Sequence, residues 1–255
     1  MEDSILKIEQ DGDIATLTMN RPAKRNAMCD ELLAAIDGFF SSPPADVRAV
    51  ILTGTAGHYC SGLDLGEHVA RDAEATMRHS RHWHQVMDRI QYGGLPVVSA
   101  MFGAVIGGGL ELATATHVRI AEPTSIFQLP EGRRGIYVGG GASVRVGRIL
   151  GADRMIEMML TGRKYNADEG LALGLAHYSV GKGEALALAK KLARRIAANA
   201  PLSNYIMIQA LSRIEDMAKA DGLFTESLCA ALTQTSPDAM EGLAAFLEKR
   251  APSFG

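Results

Sequence analysis

Two glutamates stand where the surrounding pattern asks for apolar side chains: Glu111 in GGGLELA (107–113) and Glu131 in FQLPEGRRGI (127–136). An unpaired ionised carboxylate is costly in such surroundings, so its pKa rises toward values useful for moving protons near neutrality. A structural ion pair with Arg119, Arg133 or Arg134 is the competing reading. The glycines Gly107, Gly108 and Gly109 follow an apolar run and open a helical stretch, where backbone amides lack intrahelical acceptors and the helix dipole is positive. Glycine lets a ligand come close, so an amide such as that of Gly108 can hold a developing oxyanion. A tight strand-to-helix turn that packs only small residues explains the same glycines. In GHYCSGLDL (57–65), Gly62 beside Leu63 can aim a second amide into the same crevice at the strand ends, while an ordinary loop capped by Asp64 is the alternative.

Other chemistries find little support. Neither the 107–109 run nor GGGASV (139–144) completes G-x-G-x-x-G, and no phosphate-binding G-x-x-x-x-G-K-[ST] or nucleophilic G-x-S-x-G occurs. His79, His82 and His84 do not share one helix face in the manner of HExxH, so no metal is expected there. Met155, Met158 and Met159 read as core filler and His58 as a surface residue.

The elements that must position these groups alternate between strand and helix. Residues 4–10 and 13–19 read as a hairpin about QDGD, and 29–40 as an amphipathic helix stopped by Pro43 and Pro44. VRAVILTG (47–54) and LPVVSAMFGAVI (95–106) read as buried strands flanking a helix over 71–90. THVRIAEP and SIFQLPE supply two more strands, and a helix follows the glycines at 139–141. From 152 onward the chain reads as mostly helical: ADRMIEMMLTG, a helix N-capped by Asn166, long segments over 183–199 and 201–220, and a last helix over 237–249. This order predicts an α/β core over residues 1–190 and a helical region over 191–255, with no clear linker.

A chain of 255 residues can build a large core without disulfides, and three scattered cysteines (Cys29, Cys60, Cys229) suit a reducing compartment. Net charge of −3 gives no general attraction to nucleic acid or anionic membrane, so any phosphate site must be local. The acidic start and the lack of an 18-residue apolar run lead us to expect a cytoplasmic protein without membrane or nucleic-acid partners.

Taken together and in order, LTMNRPAKRNAM, HYCSGLDL, GAVIGGGLELATATHVRIA, FQLPEGRRGI, LTGRKYNADEGLALGLA and AFLEKRAPSF resemble the crotonase, or enoyl-CoA hydratase/isomerase, superfamily over nearly the whole chain. The resemblance implies a superhelix of ββα repeats followed by C-terminal helices that build a homotrimer, often paired into a homohexamer. It implies an acyl-CoA thioester substrate whose oxygen is held by the amides of Leu63 and Gly108. Glu111 then activates water, Glu131 delivers a proton to the α-carbon, and Gly139 positions the water. Coenzyme A, part of the substrate and not a separate cofactor, would meet Lys24, Arg25 and Ala27 of AKRNAM, Ser61 and Asp64, and Lys249 of EKR. His84 matches the catalytic histidine of the 4-chlorobenzoyl-CoA dehalogenase branch, but that branch's aspartate position is Gly139 here, which disfavours dehalogenation. His84 and Tyr137 are expected at the acyl pocket.

The implied activity is hydration of an enoyl-CoA. The alternatives are Δ3,Δ2-enoyl-CoA isomerisation, another lyase or thioester hydrolase reaction on this scaffold, and a non-catalytic acyl-CoA-binding protein. Two departures stand out. Val138 replaces the proline of a Gly-Ile-Pro-Gly turn with Tyr137 beside it, and Arg133 and Arg134 are placed to pair with Glu131 and lower its pKa.

Overall fold

The computed structural model describes residues 4–67 and 71–255; the acids Glu2 and Asp3 and part of the 65–90 stretch lie outside them. Strands β1 (Leu6–Asp11) and β2 (Ile14–Met19) pair antiparallel from Leu6↔Met19 to Asp11↔Ile14. Gly12 takes φ 63° at their turn, the conformation that Asp-Gly supplies cheaply. Helix α1 (Asp30–Ser41) is N-capped by the Cys29 sulfur and buries Leu32, Leu33, Ile36, Phe39 and Phe40, the stripe read from sequence. Strand β3 (Ala49–Gly54) is buried at every residue because it runs parallel between β2 and β4 and has core on both faces. Helix α2 (Ala73–Tyr92) follows.

The run LPVVSAMFGAVI, expected as one strand, is two: β4 (Val97–Met101) and β5 (Ala104–Ile106), in different sheets. Gly103 is the reason. It takes φ +57°, and a Cβ there would stand 2.1 Å from the Gly57 carbonyl oxygen. The chain then forms α3 (Gly108–Thr114), β6 (Val118–Ala121), β7 (Ile126–Gln128), a 3-10 turn (Glu131–Arg134), α4 (Ala142–Leu150) and α5 (Ala152–Thr161). Next come α6 (Ala167–Ala172), β8 (Tyr178–Ser179), α7 (Ala185–Ala197), α8 (Pro201–Ile214), α9 (Lys219–Gln234) and α10 (Pro237–Glu248). The expected 201–220 helix therefore stops at Ile214, and β8 and α9 were not expected at all.

The main sheet has the order β1-β2-β3-β4-β6-β8, and a second sheet pairs β5 with β7. Single bridges at Cys60↔Val105 and Phe127↔Tyr165 extend the second sheet. Strand, crossing, strand and helix thus recur, once as β4, β5, α3 and again as β6, β7, α4, in agreement with an α/β fold of ββα turns. Helix α7 runs across residue 190 and lays Ala185, Ala189, Ala193 and Ala197 on Ile14, Ala49, Ile51, Val98, Ala100 and Ile120 of the main sheet. Small side chains let the helix sit close to the strands. Helices α8 to α10 leave Leu211, Phe224, Phe246 and Leu247 exposed. Among the described residues no helix is long and apolar enough to cross a membrane.

Candidate active site

A cavity of about 630 Å³ lies where the second strands of the ββα turns meet α2 and the 3-10 turn, and Ser61, Leu63, Gly108, Glu111, Glu131, Tyr137 and Gly139 all line it. The crossing at Gly103 creates this geometry, because it delivers β5 and the glycines to the second layer. The Gly107 N–H is used by the Gln128 carbonyl at 2.9 Å, which fixes where the turn ends. The amides of Leu63 and Gly108 have no acceptor among the described residues. They also lie close together: a Cβ on Gly108 would stand 3.4 Å from the Leu63 nitrogen, and one on Gly62 3.3 Å from the Gly108 nitrogen. Close packing accounts for Gly109, where a Cβ would meet the Cys60 carbonyl at 2.2 Å, while the Gly108 amide stays without an acceptor among the described residues.

Glu111 and Glu131 are both buried. Glu111 Oε1 accepts from the backbone amides of Gly140 at 2.8 Å and Ala142 at 3.1 Å, so the carboxylate caps α4. Burial pushes its pKa up, and the amides together with the Arg145 charge pull it partway back. Glu131 begins the 3-10 turn, and its Oε2 is buried without a hydrogen-bond partner. Burial pushes its carboxyl up to about 7, with the Glu111 charge adding to the rise. The expected pairing with Arg133 and Arg134 does not occur. Arg133 donates to the Thr161 carbonyl at 2.8 Å, and Arg134 lines the cavity without an ion pair to Glu131, opposing the rise only through its charge. Arg119 is also occupied, donating to the carbonyls of Thr116, Gly174 and Leu175.

The AKRNAM segment is stitched to the cavity rim. The Ser61 hydroxyl donates to the Lys24 carbonyl at 3.0 Å, the Ser61 amide to the Arg25 carbonyl at 3.1 Å, and Met28 pairs with Gly62 and Asp64 through backbone bonds. Ala27 is buried, and its carbonyl accepts from Arg21 at 2.6 Å. Asp64 is buried against Arg21 at 2.8 Å and caps Gly66, and the Arg21 hydrogen bond holds its pKa below the usual carboxylate range. Its carboxylate is therefore committed to the loop. Lys249 stands at the end of α10 and is not among the residues lining this cavity.

The three histidines go separate ways: His79 faces Asp30 at 2.9 Å, His82 is exposed, and His84 lies behind Ser80 at 3.5 Å. His58 is half-buried, accepting from the Ala104 amide at 3.1 Å, and not simply on the surface. Tyr137 is 70% exposed at the wall, and Val138 packs against the core.

Three residues outside the sequence-based set shape the site. Trp83 lines the cavity, and its ring would meet a Cβ on Gly108 at 3.0 Å or on Gly140 at 2.8 Å, so it wedges the two glycine turns apart. The Ser80 hydroxyl donates to the Gly139 carbonyl at 2.6 Å. Arg145 donates to the Gly140 carbonyl at 3.3 Å and is held by Asp88 and Gln91, each at 2.6 Å. Ser80, His84, Asp88 and Gln91 repeat at four, four and three along α2, a polar stripe on one helix face beside the apolar one. That spacing was the available signal.

The profile of the enoyl-CoA hydratase/isomerase family matches residues 9–255. The chain is 32% identical over 254 residues to the enoyl-CoA hydratase EchA19 of Mycobacterium tuberculosis, covering 97% of this chain and 95% of that protein. It is also 32% identical over 253 residues to the 2,3-dehydroadipyl-CoA hydratase of Escherichia coli, covering 98% of each. A solved structure from Rhodopseudomonas palustris superposes with TM-score 0.94 at 46% identity, over 96% of this chain and 95% of that one.

Proposed function

We propose, from the premise that this chain belongs to the enoyl-CoA hydratase/isomerase family, that it hydrates the α,β double bond of an enoyl-CoA thioester. The observation that carries this reading is one cavity lined by two buried carboxyls and by two amides that lack acceptors. The thioester oxygen gains negative charge as water adds, and the neighbouring Leu63 and Gly108 amides, which lack acceptors among the described residues, receive it in this reading; each such donor is typically worth about a hundred- to a thousandfold in rate. Glu111, with Oε1 held by two amides, takes a proton from the attacking water, whose oxygen bonds to the β-carbon. Glu131 gives its proton to the α-carbon. The product has gained H and OH, and the proton taken by Glu111 balances the one lost by Glu131. The apolar walls limit competing bulk water.

Lys24 and Arg25, near the Ser61 rim, are the candidates for the coenzyme A phosphates. A panel of trans-2-enoyl-CoA thioesters tests the reading by loss of the conjugated thioester absorbance. Glu111→Gln and Glu131→Gln should each lower kcat by about 10²- to 10⁴-fold. Full rates in both variants, or no hydration of any thioester by the wild type, would overturn it. The partnerless Oε2 of Glu131 favours a second reading, isomerisation of a Δ3-enoyl-CoA by that carboxyl alone. Double-bond migration that survives Glu111→Gln without water uptake would identify it.

A further inference from the structure

We propose that Ser80 is a positioning residue that sets Glu111 for reaction by holding the far end of the peptide unit that Glu111 itself binds. The inference rests on the role of Glu111 proposed above. The Gly139 carbonyl and the Gly140 N–H belong to one peptide group, whose two polar ends point in opposite directions. The Ser80 hydroxyl donates to that carbonyl at 2.6 Å, and the N–H donates to Glu111 Oε1 at 2.8 Å. Ser80 and the carboxylate thus grip one rigid plane from opposite sides. Each bond also polarises the group in the sense that strengthens the other.

The turn needs such a grip. Gly139, Gly140 and Gly141 run in succession, Gly141 at φ +110°, and glycine leaves the backbone little restraint of its own. Side chains cannot supply it at Gly140, where a Cβ would stand 2.6 Å from Glu111 Oε2 and 2.8 Å from the Trp83 ring. Arg145 steadies the next carbonyl, at 3.3 Å, whereas the Ser80 hydroxyl, with the His84 ring also reaching the same carbonyl, bonds the peptide that carries the carboxylate's shortest amide contact. With its proton committed to Gly139, the Ser80 oxygen faces His84 Nε2 at 3.5 Å as an acceptor. The histidine thus backs the serine from one turn further along α2.

Three variants read the hydroxyl apart from the side-chain volume: Ser80→Ala, Ser80→Val and Ser80→Thr, the last two being nearly isosteric. With the enoyl-CoA that the wild type turns over best, Ala and Val should lower kcat by about 10- to 100-fold, the scale of a misplacement of about 1 Å. Thr should stay within about threefold of wild-type kcat because the donor is restored, and because Ser80 lines the cavity any change in KM should be shared by the nearly isosteric Thr and Val. Wild-type kcat in Val, or an equal loss in Thr and Val, would overturn the inference while leaving the hydratase reading intact. Should Ala fail to fold, the Thr and Val pair decides alone.

If the wild type turns over no thioester, the functional reading falls, and Glu111 itself reports on Ser80 through its side-chain carboxyl carbon resonance. Loss of well-aimed amides should move that titration to higher pH in Val and not in Thr. An unmoved titration in Val would end the proposal.

Discussion

Glu111 and Glu131 are almost equally shielded from water, at 4% and 7% exposure, yet the two sides of the cavity treat a carboxyl differently. Glu111 sits in the first turn of α3 and reaches across to the α4 N-terminus, where the amides of Gly140 and Ala142 donate to its carboxylate. Glu131 sits on a 3-10 turn with one oxygen sealed away from any donor. Burial raises both pKa values; Glu111 is repaid by several amides of the α4 turn, whereas Glu131 is repaid by its own backbone amide alone. On the proposed mechanism the amide-held Glu111 is the base and the less supported Glu131 the acid, a difference that comes from backbone placement.

The largest test of that contrast needs no activity. Glu131 has a folded-state pKa of about 7 against an ordinary value of 4.5, so the stability it contributes is fully present below pH 4.5. That contribution is lost as pH rises to 7. At ~1.4 kcal/mol per unit the loss is about 3 kcal/mol. Glu131→Gln should therefore gain on the wild type by up to about that amount between pH 4 and pH 8, measured by denaturant unfolding. Glu111→Gln should gain less, because its two amides support the charge. Equal gains in both variants would erase the distinction between the two sites.

A somewhat smaller effect is expected from the held side. In Gly140→Ala the new methyl would have to displace Glu111 Oε2 or the Trp83 ring, at 2.6 and 2.8 Å, without touching Glu131. We expect kcat to fall by about 100-fold, or ~2.7 kcal/mol, from misplacement of the base. A variant with wild-type kcat would show that Glu111 does not need its amides in place.

Much of this arrangement was legible because it is local. The Asp-Gly turn, the apolar stripe of α1 and the N-cap at Asn166 each declare themselves within a few residues. The two glutamates were legible as charges in apolar runs, and the glycines as a turn before a helix. What escaped depends on contacts far apart in sequence. Gly103 divides β4 from β5 because Gly57 stands behind it, and nothing in the run 95–106 reveals that neighbour. Asp64 is turned inward by Arg21, 43 residues away, and Ser80 finds Gly139 across 59. Strand β8 spans two residues, too short to show a period. Helix α9 was visible and missed, for Phe224, Leu228 and Leu232 recur at four.

The two adjacent arginines give the finest form of the contrast, because sequence treats them alike and the fold does not. Arg133 is tied to the Thr161 carbonyl, whereas Arg134 lines the cavity and its positive charge favours ionised Glu131. If hydration requires Glu131 to be protonated, activity falls as pH rises through its pKa, and kcat/KM should show an alkaline limb near 7. Removing the Arg134 charge makes ionisation harder, so Arg134→Gln should move that limb upward. An exposed charge acting through solvent is worth roughly 0.2–1 kcal/mol, which corresponds to about 0.15 to 0.7 of a pH unit. Arg133→Gln should leave the limb in place. Added salt screens exposed charges, so raising ionic strength should move the wild-type limb toward that of Arg134→Gln and leave the variant itself nearly unmoved. A limb that follows Arg133 instead, or ignores both arginines and salt, would mean that burial and Glu111 alone set the acidity of Glu131.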